Sequence, residues 1–352
     1  MAMKLMKGNH ALAEAAVRAG CRFFGGYPIT PQTEILEYLS ARLPEVGGTF
    51  LQAESELGGV NMVYGAAAAG CRAMTSSSGP GFSLLQEGIS YIASAELPAV
   101  FVDVQRYGSG LGDIFQAQSD YFTATRCGGH GDYKLLVYAP ASVQESVDLT
   151  VLAFDKADQY RNPALILSDA SIAQMMEPVE LPEMREVDFD RPWAARGRHG
   201  GENKRISSTM YYIENFDSYI KAKYDDMVAG EQRWEAVRVE DADVVLVAYG
   251  ISSRICKEAV MQARERGIRL GLLRPISLWP FPVKGFAEVN PEVKAYLAVE
   301  LSALPRLEED VRLAAGQRVP VESFLGGMNI PESSALVERA ASLISASGTF
   351  QR

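Results

Sequence analysis

The chain has 352 residues, 47% hydrophobic and 22% charged, with a formal net charge of −10. That length predicts two domains with full cores. The composition excludes a disordered chain, and the acidic balance excludes a nucleic-acid surface, which needs clustered Lys and Arg.

No apolar run reaches the roughly 18 residues of a membrane span, and the start lacks the apolar core of a signal peptide. A cytoplasmic location with no membrane partner is expected. The cysteines, Cys21, Cys71, Cys127 and Cys256, lie far apart and form no CxxC. They are expected to be reduced, packed as small hydrophobes, and to hold no iron–sulfur cluster.

In chain order, helix-periodic "HALAEAAVRAG" precedes strand-like "CRFFGG", and strand-like "GTFLQA" precedes helix-like "SELGGVNMVYGAAAAG". Then "CRAMTSS" leads into "FSLLQEGISYIASAE"; "PAVFVDVQR" and "KLLVYAP" follow, then the helix "SVQESVDLTVLAFDKADQY" and the strand "PALILSD". Short apolar runs alternating with longer helical segments predict a parallel sheet covered on both faces. Ser142 and Glu145 form a capping-box pattern at the last helix. From Glu177 the chain turns polar and proline-bearing, which reads as a linker over the surface, and "MYYIENFDSYIKAKYDDMVAGEQRWEAVRVE" then reads as helical. At Asp243 a second, smaller alternating set begins. The expected division is 1–176, a linker and connecting helix at 177–240, and 241–352.

Ligands of parallel α/β sheets bind at the carboxyl ends of strands, and the unusual stretches fall there: "GGYPITP", "QAESE", "TSSSGPG" and "DVQRYGSGLGD". Pro28 and Pro31 fix φ near −65°, so Thr30 between them has little freedom. Glu56 leads a segment without charge until Arg72. That helix is expected to be buried on most sides, where a carboxylate is costly unless something uses it. The alternative is an acid interacting with the helix dipole. If the strand continues, Glu54 and Glu56 share a face. "TSSSGPGF" invites an anion-binding reading, but it lacks the Walker lysine and is not GxSxG; a tight turn is the alternative. Gly108 to Gly112 opens no convincing helix, which excludes a dinucleotide site. Arg106 can receive a substrate carboxylate in bidentate fashion or pair with Asp103 or Asp113. His130, His10 and His199 read as structural, and no spacing fits a metal ion.

Taken in order, "GYPITPQTEI", "QAESE", "AMTSSSGPGFSL" and "VDVQR" resemble the alpha subunit of the 2-oxoacid:ferredoxin oxidoreductases. "PASVQES" and "NPALILSD" resemble the end of that family's pyrimidine-binding domain, and "LLRPISLWPFP" its transketolase C-terminal-like domain. The resemblance implies an α/β fold, with a thiamine-diphosphate-binding, pyrimidine-type parallel-sheet domain followed by a smaller transketolase C-terminal-like domain. "MKGN", "AQSDYF" and "GGHGDY" resemble the 3-methyl-2-oxobutanoate (branched-chain) branch. A 2-oxoglutarate enzyme, or a non-catalytic assembly subunit of the same fold, is the alternative.

The family implies thiamine diphosphate shared between two chains. The Gly-Asp-Gly motif that holds diphosphate and Mg²⁺ is not in this sequence. A beta subunit is therefore expected to carry that half. A gamma or ferredoxin-like subunit, iron–sulfur clusters on partner chains, ferredoxin, coenzyme A and a 2-oxoacid complete the expected set. By resemblance, Glu56 matches the glutamate that hydrogen-bonds N1′ of the aminopyrimidine. Thr30 matches the threonine near the reacting substrate, and Arg106 the arginine that receives its carboxylate. Tyr27, Pro28, Ile29, Ser77 and Ser78 are expected to line the cofactor.

Overall fold

Each strand expected in the first half forms, and six of them lie parallel in one sheet. The computed structural model describes residues 3–186, 191–197, 206–208, 214–316 and 319–347; His199 lies outside the described residues. The first half runs β1 (Lys4–Lys7), α1 (Gly8–Arg18), β2 (Phe23–Gly26), α2 (Thr33–Glu45), β3 (Thr49–Gln52), α3 (Glu56–Ala68), β4 (Ala73–Ser77) and α4 (Pro80–Ser94). It continues β5 (Val100–Gln105), α5 (Tyr121–Arg126), β6 (Leu136–Tyr138), α6 (Val143–Tyr160), β7 (Ala164–Asp169), α7 (Ala170–Gln174) and β8 (Met176–Val179). The second half contains α8 (Phe216–Gly230), β9 (Trp234–Val237), β10 (Val244–Val247), α9 (Gly250–Glu265), β11 (Leu270–Pro275) and β12 (Ser277–Trp279). It ends with β13 (Ala295–Glu300), α10 (Leu307–Ala314), β14 (Val321–Leu325) and α11 (Ser333–Ser347).

The large sheet has the order β12-β6-β7-β5-β4-β2-β3, and the smaller one β14-β13-β10-β11-β9. Three features depart from the sequence reading. β1 pairs antiparallel with β8, so the first residues form a strand before α1 begins. The stretch read as one helix up to Glu240 is helical only to Gly230; Trp234–Val237 is a strand antiparallel to β11. β12, within the second half, joins the edge of the first sheet beside β6.

Period-2 alternation divides the packing. Val100, Val102 and Val104 of β5 join the layer of Leu12, Ile35, Leu39 and Phe154 on one side of the sheet. Phe101 faces the other side, where Val60, Phe82 and Ile89 share a core with Val245, Val247 and Leu273 of the second half. The two sheets are thus joined through one apolar core. The cap forms, with its return bond one residue earlier than in a capping box: Ser142 Oγ accepts the Glu145 amide at 3.1 Å, while Glu145 reaches back to the Ala141 amide at 2.8 Å. Such a cap contributes about 1 kcal/mol. Among the described residues no helix is long and apolar enough to cross a membrane.

Candidate active site

The corner after β2 is held from below. Asn9, buried in the first turn of α1, donates to the Pro31 carbonyl at 2.8 Å, and Gln174 donates to the same carbonyl at 2.9 Å. Both also reach Glu34, at 2.8 and 3.1 Å, where Lys7 completes an ion pair at 2.6 Å. Burial pushes the Glu34 carboxyl up, but these donors and its own amide more than offset that and hold it down at about 2. This gives "MKGN" a physical role: its asparagine fixes the proline corner. Gln32, fully buried, closes the loop by donating to the Tyr27 carbonyl at 3.1 Å and accepting from Ser76 Oγ at 2.6 Å. Above this base Tyr27 and Thr30 stand exposed and Pro28 and Ile29 half-buried. The Thr30 side chain has no hydrogen bond within the described chain, so its hydroxyl is presented outward.

Glu56 is the first residue of α3, with Ser55 as the N-cap accepting the Gly58 amide at 3.4 Å. The strand ends at Gln52, so Glu54 and Glu56 do not share a face as expected. Glu54 is exposed, whereas Glu56 is buried. Its one hydrogen bond among the described residues comes from Ser77 Oγ at 3.5 Å. Gly81 seals it: a Cβ there would stand 2.2 Å from both Glu56 Oε1 and Ser77 Oγ, so only glycine lets α4 approach. Most of the carboxylate's accepting capacity is unused, which suits a donor brought by a ligand. Ser77 and Ser78 are fully buried, and Ser78 Oγ has no protein partner. A buried carboxylate with one long hydrogen bond and a buried hydroxyl without a partner, beside an exposed threonine, fit the aminopyrimidine half of thiamine diphosphate.

α3 itself corrects an expectation. It is buried along one side only, by Gly59, Val60, Val63 and Ala67; Leu57, Asn61 and Gly65 are exposed although the helix carries no charge beyond Glu56.

Arg106 lies at the carboxyl end of β5, 6% exposed. Its Nη1 donates to the Thr30 carbonyl at 3.0 Å and its Nη2 to the Leu111 carbonyl at 2.5 Å. Nε is buried without a partner. Among the described residues it forms no ion pair with Asp103 or Asp113, the pairing offered by the sequence. Gly79, at φ +48°, packs on it, and a Cβ there would stand 3.1 Å from Arg106 Nε. One loop, Ser77 to Gly81, therefore touches Glu56 at both ends and Arg106 at its middle, and Arg106 touches the Thr30 corner.

Sequence reasoning missed Gln32, Asn9 and Asp120, and named Asp103 only as a possible partner of Arg106. Asp103 and Gln105 alternate on one face of a central strand, both fully buried, and that polar period-2 pattern within "VFVDVQ" was the available signal. Across the ladder Ser77 stands beside Asp103, and Gln105 beside Asp169. His130 is exposed, with its ring edge-on to Tyr91 at 6.1 Å.

Comparison with known proteins gives the family. Residues 14–238 match the family model described as pyruvate flavodoxin/ferredoxin oxidoreductase, thiamine diphosphate-binding, and residues 242–332 match pyruvate:ferredoxin oxidoreductase core domain II. The chain is 49% identical to ketoisovalerate oxidoreductase subunit VorB of Methanothermobacter marburgensis, covering 93% of this chain and 94% of the relative. It is 34% identical to 2-oxoglutarate synthase subunit KorA of Methanocaldococcus jannaschii, covering 97% and 99%. A solved 2-oxoglutarate:ferredoxin oxidoreductase from Magnetococcus marinus, with 2-oxoglutarate, coenzyme A and succinyl-CoA bound, superposes with a TM-score of 0.83 at 26% identity. That match covers 97% of this chain, which spans 65% of the solved one. With a family model over most of its length and full-length relatives at this identity, the chain belongs to the 2-oxoacid:ferredoxin oxidoreductases and carries their thiamine-diphosphate-binding domain.

Proposed function

We propose that this chain, as the alpha subunit of an assembled complex, catalyses oxidative decarboxylation of a branched-chain 2-oxoacid, 3-methyl-2-oxobutanoate, with coenzyme A. The products are the acyl-CoA, CO₂ and reduced ferredoxin. The observation that carries the reading is Glu56: a buried carboxylate, nearly without protein donors, at the head of a helix beside the Thr30 corner. The bound cofactor supplies a carbon nucleophile for the keto carbon and a sink for the electrons left when CO₂ departs. Glu56 holds a proton at N1′ of the aminopyrimidine, with Ser77 and Gly81 excluding water from its inner side. Thr30 presents its hydroxyl to the reacting substrate, and Arg106 receives the substrate carboxylate on its remaining N–H groups. Tyr27, Pro28, Ile29, Ser77 and Ser78 line the ring.

A partner completes the cofactor. The uncharged outward side of α3 and the exposed Leu111, Ile114 and Phe115 beside the site support cover by a beta subunit that holds diphosphate and Mg²⁺. Iron–sulfur clusters, on that or a gamma or ferredoxin-like subunit, pass the electrons to ferredoxin.

The 49% identity to a ketoisovalerate subunit favours the branched-chain substrate. The 34% identity to a 2-oxoglutarate synthase subunit keeps 2-oxoglutarate as the second reading. Co-expression with the partner chains, then a panel of 2-oxoacids with coenzyme A and a dye acceptor, separates the two. Turnover fastest with 3-methyl-2-oxobutanoate is expected. Turnover confined to 2-oxoglutarate overturns the substrate assignment, and no turnover in an intact complex favours a non-catalytic assembly subunit.

A further inference from the structure

Beneath Arg106 lies an arrangement that the function above does not use. Asp103 is fully buried on β5, and neither of its carboxyl oxygens has a protein donor with hydrogen-bond geometry. The Gly79 N–H lies close enough to favour charge there without completing such a bond. The group that faces Asp103 is a second carboxyl, Asp120, whose Oδ2 is likewise sealed and without a donor. Facing carboxyl oxygens sealed from water and without donors need a proton between them.

The charges around the pair are on the page. Arg106 faces it from the end of β5, and Arg306, just before α10, faces Asp120. Tyr249, after β10, also stands near Asp120, with its hydroxyl held to the Gln118 carbonyl at 3.2 Å. Glu300 of β13 faces Arg306, and burial pushes its carboxyl up to about 7. Arg306 Nε, like Arg106 Nε, is buried without a partner. Asp120 and Arg306 line a cavity of about 680 Å³ together with Tyr107, Ser109 and Leu304. If both aspartates were ionised, they and Glu300 would set three carboxylates against two guanidiniums. With one proton shared between the aspartates, a single negative charge stands beside Arg106 instead of two.

We propose that Asp103 and Asp120 share one proton, and that this singly charged pair positions Arg106 and spares it a second opposing carboxylate, so that it can receive that of the substrate. Asp103 and Asp120 are positioning residues; neither touches the substrate. Burial pushes both carboxyls up, Asp120 to about 6; Asp120 opposes ionisation of Asp103, whereas hydrogen bonding from Asp103 favours charge on Asp120. The pair therefore keeps one proton in neutral solution and titrates as a unit.

The inference rests on Arg106 as the receiver of the carboxylate, and the test separates the two claims. In the assembled complex, Asp120→Ala removes the proton-sharing partner and should raise KM for the 2-oxoacid about tenfold, with kcat falling less. Asp120→Asn keeps one negative charge and supplies an N–H in place of the shared proton, so it should recover most of that loss. A wild-type minus Asp120→Asn infrared difference spectrum at neutral pH should show the carbonyl stretch of a protonated carboxyl. That band does not depend on what Arg106 binds. If Arg106→Ala leaves KM unchanged, the carboxylate-receiver reading fails while the band still reports the pair. No rise in KM with alanine, no recovery with asparagine, or no band overturns the proposal.

Discussion

Two buried arginines in this chain are used in opposite ways. Arg274, on β11, is 4% exposed and has every nitrogen on a carboxylate: Nε to Glu235 at 2.9 Å, Nη1 and Nη2 to Glu145 at 2.8 and 2.6 Å. It ties the second sheet to the first turn of α6. Arg106 is 6% exposed and has no carboxylate within ion-pair distance among the described residues; it holds two backbone carbonyls and leaves Nε without a partner. A buried cation whose hydrogen bonds are complete joins elements of the fold. One left short of partners retains donors and charge for something that arrives later. The contrast separates stability from binding before any ligand is placed.

The largest effect that sharpens this contrast is Arg106→Ala in the assembled complex. It should raise KM for the 2-oxoacid by roughly tenfold to a hundredfold, because a bidentate charge-assisted contact is lost. Cofactor affinity should change far less. A loss of cofactor affinity alone would move Arg106 out of the substrate role. Next comes Arg274→Ala, which should destabilise the chain by about 2 kcal/mol in urea unfolding. The figure is modest because Glu145 and Glu235 each retain roughly a third of their side-chain exposure and can turn to water. Its KM should move much less than that of Arg106→Ala. If the two variants exchange these signatures, the reading of both arginines is wrong.

The smallest effect concerns Asp169, where the two halves meet. Its Oδ2 accepts the Ile251 amide at 2.5 Å, at the start of α9, while Oδ1 has no partner. Burial pushes its carboxyl up to about 7. The folded chain therefore holds a proton that the unfolded chain releases near pH 4. The stability it contributes is present below that range and lost as pH rises through about 7. Asp169→Asn should flatten this slope and leave the variant more stable than the wild type above neutrality. An unchanged slope in urea unfolding at acid and alkaline pH would contradict the assignment.

Much of this was legible in the amino-acid order. Period-2 apolar runs alternating with helical stretches placed the strands of both sheets, and the four unusual loops do lie along one edge. Thr30, Arg106, Ser77 and Glu56 form one continuous set because β2, β4 and β5 are neighbours. What could not be read depended on tertiary partners. The Trp234–Val237 strand follows a helix without a break in polarity, and only pairing with β11 decides its state. β12 is three residues long and takes its place from the first sheet's open edge. The uncharged outward side of α3 read as buried because composition cannot distinguish a core from an uncharged surface. Asp103 read as a partner for Arg106, whereas its neighbour is another acid brought from a loop after β5.

The central claim is that Glu56 activates a cofactor this chain holds by half. The most direct measurement is hydrogen–deuterium exchange at C2 of thiamine diphosphate, followed by NMR in the assembled complex with wild-type chain and with Glu56→Gln. The account predicts that the variant assembles and binds the cofactor while exchange, and turnover with it, falls by about 10²- to 10⁴-fold. Exchange at the wild-type rate in the Glu56→Gln complex would contradict it.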